Sequence, residues 1–141
     1  MFSSTHAVVL SVIASAGLAL NSTFDLTRAI LTPPPIEAFA AYSDPVKAGS
    51  EIVLDWQVIK RVDCIGSSQR VWNGEDGYSK REPISPTTLP VTDTWQNFHV
   101  RTQIPDTAPV GYLRLTVEGI YDCPEKRYSF ILGPVVFRVS Q

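Results

Sequence analysis

From Ile52 to Val58 the chain alternates, with Ile52, Leu54, Trp56 and Val58 placing apolar side chains on even positions. A period of two marks a strand with one buried face, because successive side chains point to opposite sides of a sheet. The even parity carries through Val62 to Cys64. A second run, Leu113, Leu115 and Val117, holds odd parity through Tyr121 to Cys123. If both strands keep their register, both sulfurs point into one interior, as two sheets stapled face to face require.

Beyond Pro35, similar runs recur between Gly and Pro at roughly ten-residue intervals, which predicts an all-β sandwich rather than βαβ units. The pattern predicts seven strands, near 39–43, 51–62, 69–72, 78–82, 95–104, 112–121 and 135–140. Asn73-Gly74 and Asp76-Gly77 are turn formers, and the stretch Pro105 to Gly111 predicts a corner before the sixth strand. The irregular piece Pro83 to Val91 is expected to cross between sheets. In the closing strand Val135, Phe137 and Val139 alternate, and Gly133-Pro134 marks a bulge before them. Pro134 also suggests an edge position, where a missing N–H does little harm.

The N-terminus follows another pattern. Ala7 to Leu20 is uncharged and mostly apolar, and the uncharged stretch runs on to Phe24. As a helix, Ala7–Leu20 would rise about 21 Å and Ala7–Phe24 about 27 Å, against a hydrocarbon core of about 30 Å. Two readings compete: a short membrane or assembly helix, and a signal peptide with small-residue cleavage sites at Ala14-Ser15-Ala16 or Gly17-Leu18-Ala19. Against the second, no Lys or Arg precedes the apolar run, and the same lack leaves the orientation of an anchor open. Pro33-Pro34-Pro35 must stop any helix and favours an extended, semi-rigid spacer. The expected organisation is a hydrophobic helix over 1–31, a proline spacer over 32–35 and a β-sandwich over 36–141.

The 141 residues carry a formal net charge of −2 with 18% charged residues. That balance supplies no basic field for nucleic acid, and Lys60-Arg61, Lys80-Arg81 and Lys126-Arg127 are widely spaced pairs that read as solvated loop charges. Two cysteines allow a single intramolecular pairing, worth roughly 4 kcal/mol on a chain-entropy model. Two buried free thiols in a reducing compartment are the alternative. A zinc site is not expected, since only His6 and His99 could join the cysteines and neither lies at ligand spacing from one.

Over about Ile36 to Gln141 the chain resembles the immunoglobulin-like and fibronectin type III-like sandwiches. The resemblance rests on Cys64 and Cys123 near the ends of the second and sixth predicted strands, on Trp72 after the first cysteine, and on Tyr121-Asp122-Cys123 before the last loop. It implies that those two strands run the same way in facing sheets, so that cysteines at their ends can meet. Trp72 follows Cys64 sooner than in antibody domains, and the corner sequence sits nearer Tyr112 than Tyr121. Both departures imply cysteines that bridge loop ends rather than the sandwich centre. In layout the chain is also similar to short phage-encoded proteins that join a hydrophobic N-terminus to one such domain.

Catalytic patterns are thin. Nucleophilic catalysis usually needs a histidine base, and His99 lies on the polar parity of its strand with Asn97 and Arg101, where it reads as solvent-facing. No GxSxG, HExxH or phosphate-cradling glycine loop is present. Glu75-Asp76 and Asp122/Glu125 sit in loops as solvated acids, and Asn73, Glu75 and Asp76 lack the regular spacing of a dedicated calcium site. No cofactor is implied. Binding is the better class, with Trp72, Trp95 and Arg70 as candidate interface residues because Trp and Arg anchor interfaces. The sequence therefore predicts a non-enzymatic structural or adhesive module in an assembly such as a phage virion, or at a membrane surface. Its partners would be proteins or copies of itself, with membrane contact through 7–24, facing an oxidising compartment. The alternative is an exported periplasmic or extracellular binding protein whose first segment is a cleaved signal.

Overall fold

The computed structural model describes residues 33–86 and 89–141; the hydrophobic segment and the helix expected over 1–31 lie outside them. Among the described residues eight strands form: β1 Ile36–Phe39, β2 Val46–Lys47, β3 Glu51–Lys60, β4 Ile65–Gly74, β5 Ser79–Ile84, β6 Gln96–Gln103, β7 Gly111–Asp122 and β8 Arg127–Ser140. They make a three-stranded sheet, β1-β3-β6, and a five-stranded sheet, β2-β8-β7-β4-β5. Every neighbouring pair is antiparallel except β2 with the end of β8. The fold is all-β and sandwich-like, with one apolar cluster drawn from both sheets.

The alternating run of β3 faces inward as its parity demands: Ile52, Leu54, Trp56 and Val58 are buried between exposed residues. Ile104, Leu113, Leu115, Val135 and Phe137 meet them, and Trp72 packs on Phe137 with ring centroids 5.9 Å apart. The segment after β5 leads from the five-stranded to the three-stranded sheet, the crossing expected of Pro83 to Val91, although Pro83 and Ile84 belong to β5; the corner at Pro105–Gly111 precedes β7 as expected and leads back to the five-stranded sheet. At the β4–β5 turn Asp76 and Gly77 take positive φ, 54° and 75°, which a short polar residue and a glycine tolerate best.

Four strands, β1, β2, β4 and β8, differ from expectation. β1 lies over 36–39 rather than 39–43, and a two-residue β2 pairs with β8 at a length too short to show any periodicity. β4 starts at Ile65, because the long β7 pairs with Gly66, Ser67 and Ser68, small residues that carry no strand signal of their own. β8 begins at Arg127. Gly133 and Pro134 together oppose Thr116, a two-against-one bulge inside the strand rather than before it. The extra residue shifts the phase by one, so Tyr128, Phe130 and Leu132 and then Val135, Phe137 and Val139 all pack toward the same core. Between Leu132 and Val139 only the last residues of β8 meet β2, so Pro134 sits where its strand has a single partner.

The cysteines are disulfide-bonded, Cys64 to Cys123, with Cα atoms 5.1 Å apart. The bond does not staple the two sheets. β3 ends at Lys60, the chain turns, and Cys64 stands just before β4, so the even parity of β3 never reaches it. Since Ile65 pairs with Asp122, Cys64 and Cys123 form the next rung of the β4–β7 ladder, within the five-stranded sheet.

Candidate functional site

The core is filled unevenly. Away from the disulfide, Trp72, Leu54, Ile104, Leu113, Leu115, Val135 and Phe137 are fully buried. Toward the disulfide, an apolar cavity of about 720 Å³ opens between the sheets. Its walls include Val58, Phe98, Val117, Tyr121, Phe130 and Leu132. The space follows from local sequence: on the inward parity of β4, set by Trp72, the chain offers Ser68 and Arg70 instead of large apolar side chains, while the Tyr121 ring covers Gly66. Phe98 and Val100 of the edge strand β6 stay half-buried on the cavity wall.

One side chain in this cavity is unusual. Lys60 continues the inward parity of β3 and is only 8% exposed. Its Nζ donates to the Leu89 carbonyl at 3.3 Å and lies 5.5 Å from the centre of the Tyr121 ring. No carboxylate lies within ion-pair distance of it among the described residues. Lys60 reads in the sequence as half of a solvated basic pair, yet only Arg61 behaves so, pairing with Glu37. The signal that separates them is parity: Lys60 is the next even position after Ile52, Leu54, Trp56 and Val58.

Burial also pushes the Tyr121 phenol above its ordinary value of 10.0, because a phenolate there would lose hydration. The folded chain therefore holds this proton more tightly than the unfolded chain. Its contribution to stability is full below pH 10.0 and is lost as pH rises through the higher folded value. Tyr121→Phe should flatten the fall in stability above that pH, measured by urea unfolding on either side of it. An unchanged slope would assign the alkaline loss to other groups.

The three candidate interface residues do not come together. Trp72 is 0% exposed, its indole N–H donating to Glu82 Oε2 at 3.2 Å, so it presents no surface to a partner and belongs to the core. Arg70 turns to the cavity wall. Trp95 is 49% exposed and stacks edge-on against Phe39, itself 53% exposed, with ring centroids 5.4 Å apart. Both flank β3 on the outer side of the three-stranded sheet, where Phe39 stands opposite Gln57, and Ile59, two residues further along β3, is buried yet outside the main core. Phe39 was legible only as a strand residue, since its partner is distant in sequence.

The remaining candidates are dispersed. His99 pairs with Asp55 on the same outer face, both side chains mostly exposed. Glu75 accepts the Tyr112 backbone N–H at 3.3 Å, and Asp122 pairs with Arg127. Among the described residues no group of three His, Cys, Asp or Glu side chains converges as a metal site would require, and no helix is long and apolar enough to cross a membrane.

These residues define a disulfide-bonded, all-β, sandwich-like head. Comparison with known proteins finds no matching family model, no similar curated protein and no similar solved structure.

Proposed function

We propose that this protein is a non-enzymatic structural or adhesive module: an immunoglobulin-like head that engages protein partners or copies of itself in an oxidising compartment, tethered by its hydrophobic segment 7–24. The immunoglobulin-like part of the reading is supported by strand order. In that fold's lettering, β1-β3-β6 corresponds to A-B-E, and β2-β8-β7-β4-β5 to A′-G-F-C-C′. The disulfide supports the compartment, since such bonds persist where the surroundings are oxidising.

The observation that carries the binding role is the exposed Phe39–Trp95 pair on the outer face of the three-stranded sheet. Two stacked aromatic rings left in water are costly, and aromatic side chains of this kind anchor protein interfaces. Oxidative footprinting tests it directly. Trp95 in material from the native source should label several-fold more slowly than Trp95 in the isolated protein, and Phe39→Ala with Trp95→Ala should release the protein from its assembly. Equal labelling in both preparations would leave this face without a partner and overturn the reading.

A further inference from the structure

We propose that the cavity at the disulfide end binds a single-chain anionic amphiphile, a fatty-acid-like carboxylate whose alkyl tail lies between the sheets and whose head group pairs with Lys60.

The first support is the wall. The cavity holds about 720 Å³ and is lined mostly by aliphatic and aromatic side chains from both sheets. Ligand sites run from about 300 to 1,000 Å³, so the space suits one molecule of that class. Sugars and nucleotides would leave many polar groups facing Val58, Phe98, Val117 and Leu132 without hydrogen-bond partners, whereas an alkyl chain has none to satisfy.

The second support is independent of the first. A buried ammonium normally has an anion beside it, because a carbonyl and a ring face do not neutralise its charge. Among the described residues Lys60 has the Leu89 carbonyl and the Tyr121 ring as partners and no carboxylate. Asp63 also lines the cavity, but it is exposed at the rim and forms no ion pair with Lys60. Arg70 adds a second cation on the wall, likewise without an ion pair among the described residues. An apolar chamber with an unneutralised cation is complementary to a molecule that is apolar along its length and anionic at one end.

The test uses the full chain and a nitroxide-labelled fatty acid, read by NMR line broadening, with unlabelled dodecanoate below its micelle concentration and dodecanol below its solubility limit as competitors. Broadening should centre on Trp56, Phe98 and Val117. Dodecanoate should displace the probe at a roughly ten-fold lower concentration than dodecanol, as a charge-assisted hydrogen bond implies. Affinity should rise about four-fold per added methylene. Lys60→Met should bind the two competitors alike. Broadening confined to residues 7–24, no broadening at all, or equal displacement by acid and alcohol in the unaltered protein would each overturn the assignment. The last comparison needs no variant, so it decides the matter even if Lys60→Met fails to fold.

Discussion

Removing the Cys64–Cys123 bond, by reduction or by Cys64→Ala with Cys123→Ala, should destabilise the head by about 4 kcal/mol. The bond joins positions 59 residues apart, and the chain-entropy relation for a loop of that length gives this figure. For a domain of this size the midpoint of thermal unfolding should fall by roughly 15–30 °C. Location sharpens the expectation. The disulfide extends the β4–β7 ladder by one rung at the end of the sandwich where the interior is open, whereas the opposite end is packed by Trp72, Phe137 and fully buried aliphatic side chains such as Leu54, Ile104 and Leu113. Few other contacts replace the bond there. Circular-dichroism melts with and without reductant measure the difference; a fall of only a few degrees would show that strand pairing alone holds this end.

The architecture was legible where alternation was long and uninterrupted. β3, β6 and β7 read correctly because each presents a run of in–out positions, and the crossing after β5 read correctly because prolines mark it. The errors share one physical origin, a change of phase that single-residue patterns do not announce. Extending the parity of β3 past Lys60 put Cys64 on the wrong geometry, since a turn of a few residues resets the face that a side chain sees. The bulge at Gly133-Pro134 hid the first half of β8 in the same way, although Tyr128, Phe130 and Leu132 alternate as cleanly as the residues after it.

The candidate site was less legible than the fold. A cavity is a statement about what neighbouring strands lack, and the smallness of Ser68 matters only once β7 stands beside β4 and the other sheet faces it. Lys60 and Arg70 carry charges whose ordinary place is the surface, so composition argues against their position. Lys60 reads in the sequence as a solvated charge and Arg70 as an interface residue, and parity is the signal that points the other way: Lys60 follows the even run of β3, and Arg70 shares the face of Trp72. The outer aromatic pair was half legible, because Trp95 stood out and Phe39 acquires its meaning only from β1 and β6 lying on either side of β3.

Trp72 provides the other large effect, and it also separates a core role from a surface one. Trp72→Ala should cost about 3–5 kcal/mol, the range for deleting a buried aromatic side chain whose surroundings close only in part. The ring is fully buried, packs on Phe137, and stands opposite Leu115 of β7, so no solvent path fills the space it leaves. Trp72→Phe should cost less, because it keeps most of the apolar volume and gives up chiefly the indole hydrogen bond to Glu82. Glu82 keeps Lys80 as an ion-pair partner, and its side chain is 28% exposed, so water can take the place of the lost donor. Urea unfolding of the two variants therefore gives an ordered pair, Ala far below Phe. If the two fell together, the hydrogen bond to Glu82 would outweigh the packing of the ring; if neither moved, Trp72 would lie at the surface, and the five-stranded sheet would face its partner differently.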